Sequence, residues 1–267
     1  MRNDMSDALF EARINELALR AEQYVAGYSG FLSPKEQRMA REILARKKAD
    51  CVSFFFGGYD GSERNRLFAL PDYMAEEGEY GASLVRACFP ELVEDAVVAV
   101  RIQGSGYRKL CHRDYLGSLL GLGVERDAVG DIALLDDFSA VVFCDGAISR
   151  LVLLELKKIG NDSVKTEIFD VPADFSNAPR LQPVSDTVAS ARFDCVVSAL
   201  AGISRERAQS AIRGGLAELD YFTEERPDRG VSEGSIISVR GYGKFIVTEL
   251  SEQTKKGRLR LKASKYI

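Results

Sequence analysis

Arg192-Phe193-Asp194-Cys195-Val196-Val197-Ser198-Ala199-Leu200-Ala201-Gly202-Ile203-Ser204-Arg205-Glu206-Arg207-Ala208-Gln209-Ser210-Ala211-Ile212-Arg213-Gly214-Gly215 reads as two short helices joined by a turn. Phe193, Val196, Val197 and Leu200 recur at helical spacing and share one face. Gly202-Ile203 supplies the turn. Ser204 is the expected N-cap of the second helix, Ser204–Arg213, and Gly214-Gly215 ends it. On that helix Ala208, Ala211 and Ile212 face inward. Arg205, Gln209 and Arg213 are four residues apart and form one outward ridge. Short strands are expected at Ala217–Phe222, Ser235–Arg240 and Lys244–Thr248, with turns at Gly234 and Gly241-Tyr242-Gly243.

Two guanidiniums and an amide beside a helix N-terminus suit phosphate. Guanidinium binds phosphate oxygens bidentately, and first-turn N–H groups add donors. Arg192, Arg207, Arg240 and Lys244 could extend the patch. The same charges also suit an ordinary solvated helix face, and on charge alone that is the better reading.

Upstream, Pro172, Pro179 and Pro183 mark residues 171–188 as a semi-rigid linker. Before it lie an expected strand Ala96–Ile102, a helix His112–Leu122 and strands Asp131–Leu135 and Ala140–Cys144. A helix Gly146–Lys158 and a strand Val164–Phe169 follow. This βαββαβ order is that of a ferredoxin-like, RRM-like sandwich. Its third strand, Ala140-Val141-Val142-Phe143-Cys144, offers one Phe and no stacking platform, so RNA contact here would fall to loops. Gly117, Gly121 and Gly123 suit either tight helix packing or a loop touching RNA backbone. His112, Arg113 and Arg126 are a secondary contact set. Nearer the start, Phe10, Ile14, Leu17, Ala21 and Tyr24 mark one face of a helix over 6–25. Ser33-Pro34-Lys35-Glu36 opens a second helix with a capping box. Strands follow at Cys51–Phe56 and Leu67–Leu70. The expected organisation is α+β: an N-terminal α/β domain at 1–75, the RRM-like domain at 76–170, the linker, and a C-terminal domain at 189–267.

With 267 residues, 46% hydrophobic and 28% charged, the chain has ordinary globular composition. It has no apolar run long enough to span a bilayer. Five cysteines without a C-x-x-C pair and a single histidine argue against a zinc site or disulfide framework. The expectation is a cytoplasmic protein with free thiols, no metal, no cofactor and no membrane partner. Net charge is −4, but residues 186–267 carry 14 Lys and Arg against 11 Asp and Glu. Lys255, Lys256, Arg258, Arg260, Lys262 and Lys265 give the last 13 residues a basic end without an acid, read either as a solvated tail or as a polyanion contact.

Enzyme signatures fail on spacing. His112-Arg113-Asp114 begins like a kinase catalytic loop, but the metal-binding Asn position is Leu119, and Gly104-Ser105-Gly106 is followed by Lys109 where a third glycine belongs. Cys111 and His112 are adjacent, and chain neighbours usually point to different faces. No catalytic residue is expected.

The order R-F-D-x-x-V…I-S-R-x-x-A-x-x-x-I-R-x-G, followed by Glu233-Gly234-Ser235-Ile236-Ile237-Ser238-Val239-Arg240-Gly241, strongly resembles the S4 RNA-binding domain. Where that family usually reads V-x-V-N-G, this chain has Ala217-Glu218-Leu219-Asp220-Tyr221, which removes positive character. Phe31-Leu32-Ser33-Pro34-Lys35-Glu36-Gln37, Phe55-Phe56-Gly57-Gly58-Tyr59, Glu63-Arg64, His112 to Gly117 and Gly130-Asp131-Ile132 resemble the bacterial YlmH-type, or RqcP-type, family. That resemblance implies a non-catalytic factor binding rRNA of the large ribosomal subunit and peptidyl-tRNA. It also implies ribosome quality-control factors as partners and a role in alanine tailing of stalled chains. The resemblance carries RNA contact to Arg192, Ser204, Arg205, Arg207, Gln209, Arg213, Arg240 and Lys244. An S4-bearing pseudouridine synthase is the alternative, because Arg192-Phe193-Asp194 resembles a synthase tripeptide; only 73 residues follow Asp194, too few for a synthase domain. A protein-only interaction module would leave the arginine ridge without a purpose.

Overall fold

A computed structural model describes residues 2–74, 90–253 and 257–267. The chain divides into two units, Met1–Asn177 and Ala178–Ile267.

The first unit opens with α1 (Arg2–Glu22), which buries Ile14, Leu17 and Ala21. Tyr24 lies beyond the helix in left-handed backbone and is exposed. β1 (Gly27–Leu32), not anticipated from the sequence, pairs with β3 (Asn65–Leu70), which also pairs with β2 (Val52–Phe56). Between β1 and β2, α2 (Pro34–Lys47) starts on the expected capping box: Ser33 N–H donates to Glu36 Oε2 at 2.7 Å, and Glu36 N–H to Ser33 Oγ at 3.4 Å. α1 and α2 cover one sheet face through Ile14, Leu17, Ala40 and Ile43. Burying these side chains contributes roughly 1.5–3 kcal/mol for each large one. Phe54, Phe56, Phe68 and Leu70 fill the other face with Val93 and Ala96, which lie on and just after the short α3 (Pro90–Glu94).

A second antiparallel sheet follows in the same unit, so the segments expected as domains 1–75 and 76–170 share one body; the 75/76 boundary itself lies outside the described residues. Its elements are β4 (Val98–Gln103), α4 (His112–Gly121), β5 (Val129–Leu134), β6 (Ser139–Cys144), α5 (Gly146–Glu155) and β9 (Lys165–Ile168), in the sheet order β5-β6-β4-β9. A small hairpin, β7 (Lys158–Ile159) and β8 (Asp162–Ser163), precedes β9. Val100, Ile102, Val142, Tyr115, Leu119 and Val152 form the helix-side core. The opposite face is also closed. Ala99, Val141 and Phe143 lie under Tyr59 from the β2–β3 loop and under Phe175. The Tyr59 and Phe143 ring centroids are 4.9 Å apart, and those of Tyr59 and Phe175 5.2 Å. Gly58, at φ +110, lets that loop lie on Phe143, where a Cβ would come within 2.2 Å of the ring.

The second unit is a six-stranded antiparallel sheet with two helices on one face. The strands are β10 (Leu181–Val188), β11 (Ala217–Leu219), β12 (Phe222–Thr223), β13 (Ile236–Val239), β14 (Gly243–Gln253) and β15 (Leu259–Tyr266), ordered β10-β15-β14-β13-β11-β12. The helices are α6 (Phe193–Ala201) and α7 (Arg205–Arg213). Phe193, Val196, Val197, Ala208 and Ile212 pack on Ile237, Phe245, Val247 and Leu261. Two expectations are corrected here. Residues 181–188 are an eight-residue strand rather than part of a linker. Pro183 is accommodated because β10 is an edge strand with a neighbour on one side only. From Leu259 on, the basic end is not a solvated tail: 259–266 is a strand between β10 and β14, where Leu261 and Ala263 alternate into the core and Lys262 points away to Glu249, while Lys255 and Lys256 lie outside the described residues.

The expected strand Ala217–Phe222 is broken into a tight β11–β12 hairpin. Asp220 and Tyr221 both have positive φ, and Asp220 Oδ1 accepts the Ile236 N–H at 2.9 Å. The acidic residue that departs from the S4 pattern therefore fastens this turn to the next strand. No described helix is long and apolar enough to cross a membrane.

Candidate nucleic-acid interface

The arginine ridge is organised around a buried carboxylate. Asp194, in the first turn of α6, is 0% exposed. Its Oδ2 accepts from Gln209 Nε2 at 2.7 Å and from Arg205 Nε at 3.1 Å, while Oδ1 accepts from Arg192 Nε at 3.2 Å. Burial pushes the carboxyl up, but the hydrogen bonds from Arg192, Gln209 and Arg205 outweigh it and hold the group down at about 2. Asp194 is therefore an anion at any physiological pH. The side chains of Arg192 and Arg205 remain 43% and 51% exposed, so each keeps a solvent-facing edge.

This changes the role of the ridge. Arg205 and Gln209 lie on the outward side of α7, as the four-residue spacing predicts, but they also cross-link α7 to α6 through Asp194. The first-turn N–H groups of α6 are closed to ligands: Phe193 N–H donates to Arg229 O at 2.8 Å and Asp194 N–H to Pro227 O at 2.9 Å. Ser204 caps α7, accepting the Arg207 N–H at 3.3 Å.

The remaining positions divide into two sets. Arg207, Arg213 and Arg240 are exposed and form no ion pair among the described residues. Arg240 N–H donates to Leu216 O at 2.9 Å, which sets it beside the turn that ends α7. Lys244 is half-buried on the sheet face opposite the helices. Its ammonium lies 4.7 Å from the Tyr266 ring centre and 5.1 Å from that of Tyr221. It does not join the ridge. Arg258, seen from the sequence only as one of several basic residues near the end, shares a cleft of about 380 Å³ with Arg205, between α6 and β10. Its guanidinium donates to Thr187 O. Strand pairing of β10 with β15 brings it there, and no local pattern announces that pairing.

In the first unit, His112, Arg113 and Arg126 separate. Arg126 turns inward and donates to the carbonyls of Val129 and Gly130. Partial desolvation, then the adjacent Arg126, hold the His112 imidazole below its ordinary value. Arg113 is exposed at the start of α4. Gly117, Gly121 and Gly123 face open space, with nothing within 4 Å of where a Cβ would lie, so close helix packing does not explain them. The motifs around Gly58, Glu63 and Gly130 meet instead at Asp131. Its carboxylate accepts from Tyr59 Oη at 2.6 Å, Glu63 N–H at 2.8 Å and Arg64 N–H at 2.9 Å. Arg64 extends from that point to Phe31 O at 2.6 Å and Val129 O at 3.2 Å. This is a structural staple between the two sheets of the unit.

Residues 95–172 match the family model described as "Putative RNA-binding domain in YlmH". The chain is 29% identical over 241 residues to the ribosome-associated protein quality control protein P2 of Bacillus subtilis (strain 168), covering 90% of this chain and 87% of that protein. A solved structure, the cell division protein ylmH from Streptococcus pneumoniae, shares 22% identity and a TM-score of 0.49, covering 62% of this chain and 92% of that one. The resemblance to the YlmH-type family, read from dispersed motifs, is borne out.

Proposed function

On the premise of that YlmH-type likeness, we propose that the chain is a non-catalytic RNA-binding factor of ribosome-associated quality control. In this reading the second unit is an S4-type module, the 95–172 segment is an RRM-like domain, and the protein works in the cytoplasm. The ligands are large-subunit rRNA and tRNA, and the outcome is alanine tailing of stalled chains with other quality-control factors. The observation that carries the reading is the Asp194 clamp. It holds Arg192 and Arg205 in fixed positions with their outer edges in solvent, and Arg213 continues the same helix face. Preorganised guanidiniums bind a phosphate backbone with little ordering cost. Such contacts position a protein on RNA without reading sequence.

The synthase alternative fares worse at the same residue. A carboxylate that is fully buried and engaged by three side chains has no open path to a flipped base. The test is sedimentation of the full chain with purified large ribosomal subunits at rising salt. Co-sedimentation that weakens with salt is expected, with further loss for Arg205→Glu combined with Arg213→Glu. Failure of the wild-type chain to associate at low salt would overturn the proposal.

A further inference from the structure

Segment 95–172 carries 9 Lys and Arg against 12 Asp and Glu, so RNA contact by it must be local rather than a general attraction. Its sheet face is closed by Tyr59 and Phe175, so the strands cannot offer stacking rings. Of its aromatic residues, Tyr115 and Phe143 are fully buried, while Tyr107 is 96% exposed. Single exposed apolar residues are common on protein surfaces. Tyr107 differs from them in how it is held and in what surrounds it.

The loop that carries it is pinned on both sides. Gly104 N–H donates to Phe138 O at 2.8 Å and Ser105 N–H to Asp162 Oδ2 at 3.1 Å, while Ser105 Oγ donates to Asp162 Oδ1. Beyond the tip, Leu110 is buried and its N–H donates to Asp137 O at 2.9 Å. Gly106, at φ +87, makes the turn that throws Tyr107 outward. Five of the segment's nine cations lie in this loop or on the elements joined to it: Arg108 and Lys109 within it, Arg113 in the first turn of α4, Lys157 just before the β7–β8 hairpin with its ammonium on Leu153 O, and Lys158 in β7. Asp162 fastens that hairpin to the loop, and α4 packs on β7. The nearby acids are engaged: Asp162 by Ser105, Asp137 by Lys109 and Asp114 by the Cys111 N–H. Arg113 and Lys158 form no ion pair among the described residues.

We propose that the Gly104–Leu110 loop is the RNA contact of this domain: Tyr107 stacks on one unpaired base while Arg113 and Lys158 meet the flanking phosphates. This rests on the RNA-binding reading above and assigns its surface and its substrate class, single-stranded RNA. Stacking on a rigid aromatic tolerates any base, and loss of one such ring costs roughly 5- to 150-fold in affinity.

The chain contains no tryptophan, so Tyr107→Trp places a single reporter in the full-length protein. Titration with a short oligoadenylate is expected to quench its emission, and a blunt duplex of equal length is expected to quench it far less. Tyr107→Ala should lose affinity for the oligoadenylate within the range above, whereas Tyr107→Phe should retain it and both should melt like wild type. Wild-type affinity in a normally melting Tyr107→Ala protein, with no quenching of the indole in Tyr107→Trp, would defeat the assignment while leaving the RNA-binding reading intact. Failure of the wild-type chain to bind RNA at all would defeat both. A variant that binds free RNA like wild type yet no longer associates with large subunits would mean that the loop meets protein, and would also overturn the proposal.

Discussion

At Asp194 one carboxylate ties together the two helices and the arginines of the proposed RNA contact. Its folded value, about 2, lies below the ordinary 3.8, so the anion is favoured in the native state. Its contribution is complete above the unfolded value, near pH 4, and is lost as pH falls through about 2. Acid unfolding of the second unit should therefore steepen over that window. Asp194→Asn should flatten it and cost about 1–3 kcal/mol at neutral pH, read by melts against pH. The two arginines of the ridge should part company in the same assay. Arg205→Ala should lower both melting temperature and RNA affinity, because Arg205 braces Asp194. Arg213→Ala should leave the melt unchanged and lower the slope of log affinity against log salt by about one. Equal melts for the two variants would mean that the clamp carries no stability. The four-residue spacing made the ridge legible in the sequence. Its anchor was not, because Asp194 stands next to Phe193 in an apolar helix and reads as an ordinary first-turn acid.

Among the elements, local signals were honoured where they were complete. Ser33 with Glu36, Ser204 before α7, and the short apolar runs of β4 and β6 each mark their element without distant help. Pairing over long distances was not legible. Lys262 and Arg260 look like tail residues because their alternation with Leu261 and Ala263 means little until β10 and β14 flank them. Pro183 looks like a linker residue because an edge strand tolerates it. The same holds for the staple at Asp131, which joins loop residues 59–64 to β5. Asp131→Ala strands the Tyr59 hydroxyl and two backbone N–H groups, and should cost on the order of 3 kcal/mol in thermal or denaturant unfolding. The loss should fall on the first unit alone. A wild-type melt would show that Arg64 holds the sheets together without it.

For the whole molecule, the two units have separate cores. Val188, Phe193, Phe245 and Leu261 lie in one, while Tyr115, Phe68 and Ile14 lie in clusters of the other unit. Residues 178–267 expressed alone should therefore unfold in one cooperative transition, and a featureless thermal scan would contradict this. The pairing of β10 with β15 also fixes where this unit's chain enters and leaves. Leu181 lies opposite Tyr266, and Ile267 N–H donates to Arg180 O at 3.0 Å, so both ends emerge together at one corner of the sheet. A body whose two ends coincide can be spliced into a surface loop of an unrelated host without being pulled apart. It can also be re-joined across that corner and opened elsewhere as a circular permutant. The unit is thus topologically a bead rather than a link, transferable as a whole to any scaffold that offers two neighbouring points of attachment.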